Sequence, residues 1–357
     1  MSSAIFALLM LSAFPTVALA QSRADFSIEN IMAKAGETAT GFVDVPAGVD
    51  EGTRIPISIF HGAKEGKVLL IIAGVHGSEY APILALQKLR SQISPKELSG
   101  TIILVHVANM PSFLKRTIYY GADGKNLNRV FPGKADGTIS ERIAYILTEK
   151  LMRRADYVID VHCGDNNESL RPYTGHVKNA LSTKEFIETS QRMALAMGID
   201  FIKISTGRSV DFNQAVYSTN ASSLLGKPSI AIESGELGTP QAADVSRIER
   251  GLLNVMRALA MLPGKVIQFK NQTFIKRDQT LRSTANGLFY SLVSKNQKVK
   301  ENELLGYVTD FFGNRVQEVR APFAGVVMYY TATPPVSTDE PLVNLGEIDK
   351  TQNSKGR

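Results

Sequence analysis

The chain has 357 residues, enough for one large or two moderate domains with a sizeable core, and its 44% hydrophobic content is ordinary for a soluble globular protein. The net charge of +6 comes without a Lys/Arg run or a basic stripe interleaved with aromatics. That argues against nucleic acid as a partner and leaves room for a basic cleft that takes small anions.

Residues 1–20 read as a secretory signal peptide. "AIFALLMLSAF" is a short apolar run, and "ALA" at 18–20 is a small-x-small cleavage site before Gln21. The run is too short to span a bilayer comfortably, and no Cys follows it, so no stable membrane anchor is expected. The mature protein is expected in the periplasm or outside the cell. Cys163 is the single cysteine, so no intrachain disulfide forms and cysteine-rich zinc sites are excluded. Any metal must use carboxylates and the five histidines 61, 76, 106, 162 and 176.

From about residue 55 to 262 apolar strands alternate with amphipathic helices. "RIPISIF" and "KVLLIIAG" read as strands, "EYAPILALQKLRSQI" as a helix and "TIILVHVAN" as a strand. "SERIAYILTEKLM" is a helix whose Thr138 and Glu141 are spaced as a capping box. "YVIDVH" is a strand, "TKEFIETSQRMALAMG" a helix ended by Gly198, "PSIAIES" a strand and "AADVSRIERGLLNVMRALAML" a long helix. This pattern predicts an α/β fold, a mixed, largely parallel sheet sandwiched by helices, with ligands beyond the carboxyl ends of the strands. After "LPGK" the texture becomes short β-like pieces, "GLFYSLV", "LLGYVTD", "VQEVRAP", "GVVMYY" and "PLVNLG". The expected division is signal peptide 1–20, catalytic domain 21–263, a small all-β domain 264–347 and a disordered tail 348–357.

Three strand ends carry candidate chemistry. In "GVHGSEYAP", His76 and Glu79 follow a buried strand, with glycines that let the backbone turn sharply. They read equally as metal ligands or as a turn residue and a first-turn carboxylate placed for the helix dipole. His162 closes "YVIDVH", and Asp160 two residues earlier faces the same way, as a carboxylate beside a ligand histidine does. Two histidines and a carboxylate with one position open make a catalytic zinc site, which lowers the pKa of water to about 7. Glu233, at the end of "PSIAIES", is the candidate general base, and Glu236 in the glycine-rich turn beyond it is a competitor expected to be solvated. The irregular stretch from Arg116 to "KNLNRVFPG" brings Asn126, Asn128 and Arg129; Asn128 and Arg129 suit one carboxylate, and Arg116 suits an oxyanion.

"GVHGSE", "DGKNLNRVFPG", "IDVHCG" and "AIESG", in this order, resemble the succinylglutamate desuccinylase/aspartoacylase family, relatives of the zinc carboxypeptidases. The resemblance runs over roughly residues 55–345. It implies one Zn(2+) per chain on His76, Glu79 and His162, Glu233 as general base and acid, Arg116 at the scissile carbonyl, and Asn128 with Arg129 on a substrate carboxylate. The chain departs from many relatives in having Glu236 where they have further glycine. It also carries an export signal where the best-known relatives are cytoplasmic. The C-terminal part resembles the half-barrel of biotinyl and lipoyl carriers but lacks their lysine-bearing hairpin, so no covalent cofactor is expected there. The reading is an exported zinc hydrolase that cleaves the amide bond of a small N-acyl amino acid bearing a free carboxylate. Its alternatives are a zinc carboxypeptidase acting on peptides, cell-wall peptides included, and a non-catalytic binding protein. The sequence leaves the oligomeric state open.

Overall fold

The computed structural model describes residues 23–119, 122–207 and 209–353. The expected export segment lies outside the described residues, as do residues 354–357.

Among the described residues, a sheet of 13 strands runs through the molecule. We label its principal strands β1 (Glu37–Val45), β2 (Thr53–His61), β3 (Lys64–Ala73), β4 (Ser99–Val105), β5 (Tyr157–His162), β6 (Tyr173–Lys178), β7 (Phe201–Thr206), β8 (Ser229–Glu233), β9 (Thr273–Arg282), β10 (Gly325–Thr331) and β11 (Pro341–Ile348). Their spatial order is β10-β11-β9-β7-β6-β8-β5-β3-β4-β2-β1. The centre, β4-β3-β5-β8, is parallel.

The central strands are continuous apolar runs because both faces are covered. Leu69, Ile71 and Ala73 of β3 pack on one side, Leu70 and Ile72 on the other, as the two-residue period of a strand requires. The first side receives helices α1 (Tyr80–Leu89), α4 (Lys184–Ala196) and α6 (Ala242–Ala258). The second receives α3 (Ile139–Ile146), α5 (Ser218–Leu224) and the hairpin of Phe26–Ile28 with Ile31–Ala33. A short helix, α2 (Met110–Lys115), follows β4. Local signals set the helix ends. Thr138 and Glu141 form the expected capping box on α3, and Gly198, at φ +71°, follows the end of α4.

The sheet does not stop near residue 263. β9 pairs in parallel with β7, β11 lies antiparallel on β9, and β10 antiparallel on β11. The short strand Glu168–Leu170 pairs with β10. A separate four-stranded sheet completes the C-terminal β region. The segment expected as a disordered tail is described as far as Asn353. Ile348 ends β11, and Lys350–Asn353 form a helical turn that begins where Asp349 Oδ1 accepts from Thr351 N and Oγ1.

Candidate metal centre

His76, His162 and Glu233 all lie at the carboxyl edge of the parallel centre. β5 and β8 pair with His162 directly opposite Glu233, and His76 follows the last residue of β3 by one short turn. The glycines of "GVHG" make that turn. Gly74 has φ +69°, and a Cβ on Gly77 would sit 2.2 Å from the Ser112 backbone, so only glycine lets α2 pass this close.

Glu79 stands at the N-cap of α1 but makes no side-chain capping bond. Its carboxylate is spent on the histidines instead. Oε1 lies 2.7 Å from His76 Nδ1, and Oε2 lies 2.9 Å from His162 Nδ1. Glu79 therefore faces the two histidines rather than capping its helix. The three side chains each offer an atom within 4.8 Å of the others. The two Nε2 atoms are held from outside. His76 Nε2 meets Asn126 Oδ1 at 3.1 Å, and His162 Nε2 meets Asp160 Oδ2 at 3.0 Å. Asp160 is held in turn by the Ser218 hydroxyl. In the metal-free chain each Nδ1–H donates to Glu79, and with the Nε2 protons held by these oxygens, loss of the Nδ1 protons would leave both Nδ1 lone pairs aimed at the space beside Glu79. Two imidazole nitrogens and a carboxylate converging in this way fit zinc.

The electrostatics have the same focus. Burial works against a charge on His76, but Glu79 and Asp165 outweigh it and lift its pKa to about 9. Burial likewise opposes a charge on His162, and Asp160 and Glu79 raise it well above the usual range. Burial alone would raise Glu79, yet His162 and His76 hold it down to about 2. Glu233 moves the other way. Burial pushes it well above the ordinary carboxylate range, His162 pulls against the rise, and Glu79 and Glu168 reinforce it. A carboxyl of raised proton affinity beside a metal site is suited to general acid–base work.

The remaining expected residues are brought together in part. Asn128 Nδ2 is 3.4 Å from His162 Nε2, and its Oδ1 accepts from Ser218 N at 3.0 Å, so it belongs to the wall of the site. Arg129 is exposed, lies over the Tyr217 ring at 4.7 Å and donates to the Asn128 carbonyl at 2.7 Å. Arg116 is exposed at the left-handed C-cap of α2, with φ +58°. Neither arginine pairs with a carboxylate among the described residues. Glu236, expected to be solvated, is partly exposed and has protein partners. It pairs with Lys295 Nζ at 2.5 Å and accepts from Ser169 Oγ at 2.7 Å. The other histidines are used elsewhere: His61 on Thr101 and the Ala24 carbonyl, His106 on Ser58, and His176 buried in β6.

Three residues that sequence reasoning passed over also line the site. Asp165 Oδ1 is buried 4.0 Å from His76 Nδ1, and burial pushes its pKa up to about 8 although His76 opposes the rise. Burial and then Glu79 raise Glu168 as well. The Tyr119 ring stands edge-on to His76, with centroids 6.2 Å apart. For Asp165, its place just beyond a strand-end histidine was the available signal.

Residues 65–259 match the succinylglutamate desuccinylase/aspartoacylase catalytic domain. The chain is 27% identical over 321 residues to an N-alpha-acetyl-L-2,4-diaminobutyric acid deacetylase of Halomonas elongata, covering 86% of this chain and 91% of the relative. Its fold is similar to that of the product-bound ectoine utilization protein EutE (DoeB) from Ruegeria pomeroyi, with TM-score 0.77, 24% identity and coverage of 87% of this chain and 95% of that one. It is also similar to a succinylglutamate desuccinylase/aspartoacylase from Rhodobacter sphaeroides, with TM-score 0.76, 20% identity and coverage of 92% and 99%. The strand-end histidines, the carboxylate between them and the match across the catalytic region agree: this chain belongs to the succinylglutamate desuccinylase/aspartoacylase family.

Proposed function

We propose that the chain is a zinc-dependent hydrolase that removes the acyl group from a small N-acyl amino acid bearing a free carboxylate. The observation that carries this is the pairing of His162 with Glu233 across β5 and β8, beside a His76–Glu79–His162 cluster whose outer nitrogens are already held. The Halomonas elongata relative, by its name a deacetylase of an acetylated amino acid, supports the substrate class.

His76, Glu79 and His162 would hold the zinc, which when bound would supply Lewis acidity toward a carbonyl oxygen and lower the pKa of water. Glu233 then takes the proton of the attacking water and returns it to the leaving amine, as a carboxyl of raised proton affinity does. Asn126 and Asp160 keep both imidazoles in the tautomer that presents Nδ1. Arg129, whose planar fork is free of any carboxylate among the described residues, grips the substrate carboxylate with Asn128 beside it. Arg116 serves the oxyanion from the rim.

We also propose that the protein acts outside the cytoplasm, on the strength of the apolar run and the "ALA" site before Gln21. N-terminal sequencing of exported protein would find Gln21, and a start at Met1 would refute cleavage. The activity is tested by amine release from a panel of N-acyl amino acids and from unblocked peptides, each with and without chelator. Chelator-sensitive release from the acylated compounds alone supports the proposal. Release from the peptides would make the protein a peptidase, and release from neither would make it a binding protein.

A further inference from the structure

Glu236 belongs to the loop that leaves Glu233, and that loop is tied down at many points. Ser234 N donates to the His162 carbonyl at 3.0 Å, Gly164 N to Gly235 O at 3.0 Å, Leu237 N to Glu168 O at 2.9 Å and Gly238 N to Gly164 O at 2.9 Å. Gly235 and Gly238 both have positive φ, which the tight course of the loop requires. The loop that follows the base and the loop that follows His162 therefore form one knitted layer. The C-terminal β region reaches this layer at two places. β10 pairs with Glu168–Leu170, and Lys295 pairs with Glu236, which also holds Ser169. Lys295 itself sits in a fixed turn, because Asn296 N donates to Val327 O and Val327 N to Gln297 O, both at 2.9 Å.

A half-exposed ion pair of this kind contributes little to global stability. Its effect here is geometric. A single side chain from the C-terminal region grips the loop three residues beyond the base and, through Ser169, the strand that carries Glu168. We propose that Lys295 is a positioning residue: through Glu236 it fixes the loop leaving Glu233 and so sets the base against its substrate. This rests on Glu233 acting as the base. It gives the C-terminal region a part in the reaction at a distance, through the loop that leaves Glu233. Small displacements of a catalytic group are costly, since about 1 Å can cost roughly 10²-fold in rate.

The test uses the full chain loaded with zinc. Lys295→Met should lower kcat roughly three- to thirty-fold while KM changes by less than about twofold, the scale at which remote positioning networks act. Lys295→Arg should restore most of the loss. The exchange Glu236→Lys with Lys295→Glu should recover more activity than either single change. In parallel, amide hydrogen exchange at Leu237 and Gly238 should quicken in Lys295→Met while the β5 amides stay protected. A variant with normal kcat overturns the proposal, whether or not exchange quickens, and so does a loss that neither Arg nor the exchange repairs. If the wild type hydrolyses no acylated amino acid, the proposed function fails and the assignment of Lys295 as a positioning residue falls with it. Exchange at Leu237 and Gly238 then tells the two failures apart: quickening shows a real clamp on a loop without that chemistry, and unchanged exchange shows no clamp at all.

Discussion

Zinc binding should expel protons from this site. In the metal-free chain the contacts of His76 lift its pKa from 6.5 to about 9, which favours the imidazolium in the folded state by roughly 3 kcal/mol. The depression of Glu79 to about 2 comes from His162 and His76, and its His76 share is the same contact seen from the carboxylate, so the two shifts are not added. The sign follows from the direction of each shift. A raised histidine gives stability that is complete below about pH 6.5 and is lost as pH climbs through about 9. A depressed carboxylate gives stability that is complete above about pH 4.5 and is lost as pH falls through about 2. The metal-free cluster is therefore most stabilising between those limits, near pH 4.5–6.5. Zinc takes neutral imidazoles, so at pH 7 its binding should release about two protons, one from each histidine. Affinity should climb with pH by up to about tenfold per unit for each proton displaced, while the metal-free protein loses stability over the same range. Calorimetric zinc titrations in buffers of different ionisation enthalpy read the protons directly. One-to-one binding with no proton release, or an affinity flat between pH 6 and 8, would show that the imidazoles are neutral beforehand and refute the reasoning.

Glu233→Gln should keep zinc and fold but lose roughly 10²-fold or more in turnover, and a comparable loss of bound zinc would instead make Glu233 a ligand. Asp160→Ala should weaken zinc by about 10- to 100-fold in a chelator competition, because His162 loses the oxygen that fixes its ring; unchanged affinity would remove Asp160 from the site's support. Arg129→Ala should cost roughly 10- to 150-fold in kcat/KM on a free-acid substrate and little on its amide, with Arg129→Lys recovering only part. Equal rates of the wild type on acid and amide would make Arg129 structural.

The convergence of His76, Glu79 and His162 was legible because these residues sit where local patterns end. A buried run followed by Gly74, and another closed by His162, mark strand ends without knowledge of the rest of the chain. What Asn126 does was not legible. Its contact with His76 depends on how the loop from Arg116 folds back, and no periodicity governs such a loop. The partners of Glu236 were hidden for a similar reason. A carboxylate in a glycine-rich turn is usually solvated, and its partner Lys295 lies in a distant part of the chain. The strands β6, β7 and β9 were missed because "YTGHVK", "FIKIST" and "TFIKRDQTLR" mix polar and apolar residues. β7 and β9 are partly exposed, and β6 is buried but carries Thr174 and His176 inside, so none of the three writes a continuous apolar run.

The passage of the sheet through residue 263 has a consequence for how the chain reaches its final form. β9 finds its parallel partner β7 only across α5, β8 and α6, and β11, almost the last stretch of the chain, seals both β9 and β10. Pairings so remote in sequence are slow to form, because the intervening loop entropy is lost before the contacts compensate for it. Removing the final strand would thus be no trimming of an appendage. It would bare the facing edges of β9 and β10 in one stroke, open a row of unpaired backbone groups to other chains, and turn a late-closing fold into an aggregating one.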